Sequence, residues 1–211
     1  MIRRDALLLG FAALFVGNLP ALALDRALTA EEQALITNIG QHNSAIRTMV
    51  GRFLQIDTQG GRTEGTFFLE RPDKVRFRYN PPSKEEIVSV GRGFYVLNRS
   101  EETYYAYPQD AIPLRQFLGD KIDLLKANVT NVTNTDGYMS VTLMDETVAG
   151  TVQVSLIFDT KTLDLSQWTL VQPNGSELTF SLYDVEKDVT IPRSYFSIPA
   201  TYKGVDPSTR R

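Results

Sequence analysis

Hydrophobic and polar positions follow two periods along this chain, and the change from one to the other divides it. After "DRALTAEEQ", Leu35, Ile39, His42, Ile46, Met49 and Phe53 recur at steps of three and four, the spacing of one helix face. Thr29 with Glu32 three residues later is a capping-box start for that helix. The spacing predicts one amphipathic helix that begins at Thr29, is weakened at Gly40 and lays its apolar face on another element. From Arg52 onward the period falls to two, and Gly, Pro, Asn and Asp punctuate short runs. The alternation predicts strands at 52–58, 63–70, 74–80, 86–90, 93–99 and 103–107, then at 128–133, 138–145, 151–159, 164–171 and 176–184.

Short connections such as "QPNGSE" favour antiparallel hairpins, and a meander of this many short strands curls or closes on itself. Between the two series, "PQDAIPLRQFLGDKIDLLKAN" places Leu114, Phe117, Leu118, Ile122 and Leu125 at helical spacing, so a short helical insertion is expected there. The tract "NVTNVTNT" contains Asn-X-Thr matches but reads as a polar strand edge. One strand pair raises a question. In "GTFFLERPDKVRFRYNPP", Val75, Phe77 and Tyr79 alternate with Lys74, Arg76 and Arg78, yet Arg71 shares the parity of Phe67 and Leu69. A strand-end arginine can curl outward into water over its aliphatic stem, or it can stay on the apolar face with its donors satisfied.

Composition narrows the class. A chain of 211 residues with 42% apolar content suits one domain with a real core. The net charge of −3 carries no basic footprint, so nucleic acid is not an expected partner. The start, "MIRRDALLLGFAALFVGNLPALALDR", has two arginines, an apolar run from Ala6 to Val16 and the small-residue pattern Ala21-Leu22-Ala23. This is the order of a cleavable signal peptide over residues 1–23, leaving a mature domain at 24–211; the Arg3-Arg4 pair also loosely fits twin-arginine export. Cysteine is absent, so an exported domain would be held by burial alone and could not carry a lipoprotein anchor.

Candidate chemistry is sparse. The one histidine, His42, falls on the helix stripe, where a packed or half-exposed role is expected. No nucleophile elbow, phosphate loop or metal-ligand spacing is present, and no cofactor or metal is expected. Carboxylates are numerous, and pairs such as Glu85-Glu86 and Glu101-Glu102 are expected on turns and solvated faces; an exported hydrolase with a carboxylate pair remains an alternative.

The run "RFLQIDTQGGRTEGTFFLERPDKVRFRYNPPSKEEIVSVGRGFYVLNRS" resembles the LolA family of periplasmic outer-membrane lipoprotein carriers. The resemblance rests on Phe53-X-Gln55, a glycine-led strand ending in Arg71-Pro72, a strand leading to Pro81-Pro82, and the strand-turn-strand "EEIVSVGRGFYVLN". "AIPLRQFL" looks like the family's lid and "YFSIPATYKGVDP" like its ending. It implies an α+β fold, an unclosed antiparallel β-barrel capped by helices over an apolar cavity. Phe67, Leu69, Val75, Phe77 and Tyr79 would line that cavity, Ile112, Pro113, Leu114, Phe117 and Leu118 would form the lid, and Arg71 would latch the lid through backbone carbonyls. The implied partners are acylated lipoproteins, an inner-membrane ABC lipoprotein exporter and an outer-membrane receptor, served by a monomer in the periplasm. A lipid-binding sensor or regulatory module of the same fold is the second reading.

Overall fold

The computed structural model describes residues 26–109, 115–147 and 150–207. Helix α1 (Ala30–Ala45) opens the described chain, and Thr29 and Glu32 exchange the two hydrogen bonds of the predicted capping box. The strands follow as β1 (Thr48–Asp57), β2 (Arg62–Glu70), β3 (Lys74–Tyr79), β4 (Glu85–Val90), β5 (Gly93–Asn98) and β6 (Thr103–Pro108). The second series is β7 (Asn128–Thr135), β8 (Tyr138–Thr147), β9 (Gly150–Asp159), β10 (Leu165–Val171) and β11 (Glu177–Lys187), and a short β12 (Lys203–Val205) ends it. All twelve join one sheet in the order β12-β6-β5-β4-β3-β2-β1-β11-β10-β9-β8-β7. The two series meet where β1 pairs with β11, and the sheet stays open between β12 and β7.

Two expectations are corrected. The helix stops at Ala45, because Ile46 is already extended, and Met49 and Phe53 belong to β1. Their spacing fits a helix face, but Gly51 and Phe53 also share strand parity, and pairing with both β2 and β11 decides for the strand. The insertion after β6 contains, among its described residues, only two 3-10 turns, at Arg115–Leu118 and Leu124–Lys126. Leu124 is buried there and Leu125 exposed, the reverse of the helical spacing.

Register sorts the side chains into two faces. Directly opposed pairs Phe67–Phe77, Leu69–Val75 and Gly65–Tyr79 lie on the concave face, and Phe68–Arg76 and Thr66–Arg78 on the convex one. Gly65 stands opposite Phe53, where an added Cβ would come within 2.5 Å of the Phe53 ring and 2.3 Å of the Arg78 carbonyl oxygen. The glycine that leads this strand is therefore a space requirement of the aromatic floor. On the convex side the C-terminal segment crosses β2–β4: Tyr195 packs on Phe68 at 4.6 Å between centroids, and Arg76 Nη1 donates to the Tyr195 carbonyl at 2.8 Å.

Helix α1 fills one half of the concavity. Ile36 and Ile39 pack with Phe117, Ile122 and Leu124 against Met139, Val141, Leu143, Val154, Leu156 and Phe158 of β8 and β9. His42 does not pack among them. It is half-buried with Nε2 2.7 Å from Asp164 Oδ1, and Lys187 Nζ reaches the same oxygen. Burial alone would raise the Asp164 carboxyl, but the Lys187 and His42 contacts outweigh it and hold the group below its ordinary value.

Candidate functional site

The half of the concavity that α1 leaves uncovered has an aromatic floor. Phe53 lies at the centre, edge-on to Phe77 at 5.2 Å and to Tyr79 at 5.1 Å, and Trp168 stacks on Phe180 at 4.8 Å. Phe53, Phe67, Tyr79 and Phe180 are buried, while Met49, Phe77, Ile87, Trp168, Leu178 and Leu182 pack on them only half-covered. Such a face is stable because its lower layer is close-packed, yet it presents several apolar side chains to whatever lies above. The Tyr79 hydroxyl donates to Gln55 Oε1 at 2.6 Å, which gives the buried hydroxyl an acceptor. Burial, with help from Glu85, pushes the Tyr79 hydroxyl pKa upward, so it stays neutral.

The five residues assigned to this face from the sequence all lie on it, in different degrees of cover. Phe67, Leu69, Val75 and Tyr79 are buried, and Phe77 is half-exposed between the two groups they form. Leu69 and Val75 are covered by Leu118, from the segment after β6. Phe117 of that segment turns to the other half, stacked against Phe158 at 6.3 Å. Ile112, Pro113 and Leu114 lie outside the described residues. The sequence reading did not single out Met49, Ile87 or Leu178 as part of the floor; Ile87 opposes Phe77 directly, so cross-strand parity carried the signal for that one.

Arg71 sits at the seam between floor and segment. Its side chain stays on the apolar face, 6% exposed for the residue, with Nε donating to the Ile46 carbonyl at 3.1 Å and Nη1 to the Gly119 carbonyl at 3.4 Å. Burial, aided by the nearby Arg47 cation and opposed by Asp120, lowers its guanidinium pKa to about 10. That value still leaves the group charged at every physiological pH, so it cannot switch the contact by titration. Arg47 Nη2 bridges the Arg71 carbonyl and Asp120 Oδ1, and Asp73 N donates to the Leu118 carbonyl at 3.0 Å. At the other end of the segment, Ile122 N donates to Ser44 Oγ, and Gly40 lets the chain approach the helix: a Cβ there would meet the Ile122 carbonyl oxygen at 2.7 Å.

The convex face holds what the sequence reading missed. Glu86 is not solvated but 1% exposed, and its carboxylate is shared by Arg76, Arg78 and Arg99. Arg99 also donates to the carbonyls of Tyr79, Ser83 and Glu85. Among the described residues no group of three metal-ligating side chains occurs, and no helix is long and apolar enough to cross a membrane.

The twelve strands form one unclosed curved sheet, not a barrel, and its apolar floor is spanned by a helix and a strapped segment. Residues 44–199 match the family model described as outer membrane lipoprotein carrier protein LolA, and the chain belongs to that family. An outer-membrane lipoprotein carrier protein from Alkalilimnicola ehrlichii is 32% identical over 75 residues, which is 33% of this chain and 35% of that one. The chain thus aligns with about a third of the length of this curated relative. Among solved structures, a DUF1329 family protein from Desulfovibrio piger shares the fold at a TM-score of 0.50 and 12% identity, over 78% of this chain and 95% of that one. A LolA superfamily protein from Nitrosomonas europaea gives 0.44 and 10%, over 81% and 98%.

Proposed function

We propose that this protein is a periplasmic carrier, exported by residues 1–23, that shields the acyl chains of lipoproteins between the inner and outer membranes. The observation that carries the reading is the half-covered aromatic floor beneath a segment held by Arg71. An acyl chain in water costs about 0.8 kcal/mol per CH₂, on the order of 10 kcal/mol for a chain of ordinary length. An apolar concavity offsets that cost without directional bonds, so the next acceptor can replace the contacts area for area. The carrier needs no cofactor and makes no covalent bond. It would receive cargo from an inner-membrane ABC lipoprotein exporter and release it to a receptor or to the outer membrane itself, working as a monomer.

Arg71 supplies the latch. Entry of a chain over Phe77 displaces Leu118 from Leu69 and Val75, and the two hydrogen bonds to Ile46 and Gly119 break. Re-forming them on release favours the empty state. The substitution Arg71→Leu tests this. Keeping a cation whose pKa burial has lowered to about 10 costs on the order of 3 kcal/mol. Losing two hydrogen bonds costs about 1–3 kcal/mol each where the carbonyl stays buried, so the two effects oppose each other in the empty protein. The variant is expected to remain folded, with a net change between about 1 kcal/mol gained and about 3 kcal/mol lost, and to bind acylated lipoprotein but deliver it poorly. Loading and delivery assays with purified protein would show complex accumulating; delivery at the wild-type rate would remove Arg71 from the mechanism.

A further inference from the structure

At the end of β2–β5 away from Arg71, on the convex side, the surface encloses a pocket of about 350 Å³. Its lining includes the cations Arg78, Lys84 and Arg99 with the polar side chains of Thr66, Asn80 and Ser100, and contains no carboxylate. Glu86 lies beneath, buried, and its one negative charge is divided among Arg76, Arg78 and Arg99, so the arginines alone leave two positive charges in excess. Glu85 has the opposite strand parity, on the side of Ile87 and Tyr79, and does not line the pocket. In a chain of net charge −3, this local excess stands against the overall balance.

We infer that this pocket is a binding site for a phosphate-bearing anion. The parts divide the work. Arg99 is fixed by its bonds to Glu86 and to three backbone carbonyls, and Arg78, 60% exposed, is held to Glu86 through Nε at 3.2 Å. Arg78 lines the pocket, and its guanidinium offers the paired donors that suit two oxygens of one phosphate. Lys84 forms no ion pair with a described residue and adds a mobile point charge from the turn after β3. Cations and neutral donors from separate strands and turns suit a tetrahedral anion better than a planar carboxylate. The volume falls within the range of small-molecule sites and exceeds that of bare phosphate, leaving room for a glycerol- or sugar-sized substituent. A soluble phosphomonoester and an anionic phospholipid headgroup share this chemistry. The site lies outside the acyl cavity and does not depend on that reading.

The test uses the mature protein with glycerol 1-phosphate in calorimetric titrations, glycerol as the uncharged control, and vesicles of phosphatidylglycerol or phosphatidylcholine in flotation. Saturable binding of glycerol 1-phosphate, weakened about tenfold by Lys84→Gln and further by Arg78→Gln in proteins of unchanged circular dichroism, is the expected result. Flotation with phosphatidylglycerol but not phosphatidylcholine, lost in the same variants, would assign the anion to a membrane surface, and binding of the soluble ester alone would assign it to a free metabolite. Failure of both probes to bind, or equal binding by wild type and both variants, would overturn the site. So would a hexaglutamate peptide that binds where glycerol 1-phosphate does not, since that outcome makes the pocket a docking point for an acidic protein segment.

Discussion

Replacing Phe77 by glutamate is expected to abolish lipoprotein binding while leaving the protein folded. Phe77 is the half-exposed member of the five floor residues and touches Phe53, Trp168 and Phe180 at ring separations of 5.2, 6.1 and 6.1 Å. In the empty protein a glutamate there can keep its carboxylate hydrated through the open side, so the loss is packing alone, about 1–2 kcal/mol. With an acyl chain seated above it the carboxylate must be desolvated without a partner, which costs several kcal/mol, and at least a hundredfold weaker retention of acylated lipoprotein follows. Co-purification from cells, with urea denaturation as the control for folding, measures both halves. Wild-type retention by a folded variant would move the acyl site off this floor.

Glu86→Ala is expected to cause the largest loss of stability. Its carboxylate is the shared counterion of Arg76 and Arg99, whose side chains are only 12% and 19% exposed. Removing the acid leaves those cations buried without their partner, a change that typically costs about 3–5 kcal/mol. Arg78 is largely in water and adds little. The loss reaches beyond the cluster, because Arg76 also holds the C-terminal segment through the Tyr195 and Ser197 carbonyls. The urea midpoint should fall by roughly 1–2 M and the segment around Arg193 should become sensitive to trypsin before global unfolding. A midpoint within a few tenths of a molar of wild type would mean that the arginines find other partners at little cost.

The strands were legible because a sheet with one buried face writes its parity into the sequence. Phe67, Leu69, Val75, Phe77 and Tyr79 needed no three-dimensional information to be placed on one face, and the register bears that out. The end of α1 was not legible, since Met49 and Phe53 fit the helical spacing and also share strand parity, and only pairing with β2 and β11 decides between the two. β12 escaped because three residues, Lys203–Val205, are too few to show alternation. Glu86 escaped for a different reason. Beside Glu85, and after Pro81-Pro82 and Lys84, it looked like part of a polar turn, whereas its partners lie on β3 and beyond the end of β5. The cations on the outward parity of "VRFRY" were the visible half of that cluster. Parity marked Arg71 as sharing the apolar side of its strand but left open whether its side chain curls outward, because its two carbonyl partners come from the helix end and the segment after β6, which only the folded chain brings together.

The most direct measurement of the carrier reading is to place a photo-crosslinking side chain at Phe77, irradiate intact cells and identify the adducts by mass spectrometry. The floor described here predicts that acylated lipoproteins are attached at that position. A folded protein that yields no adduct, or only free phospholipid, would contradict it.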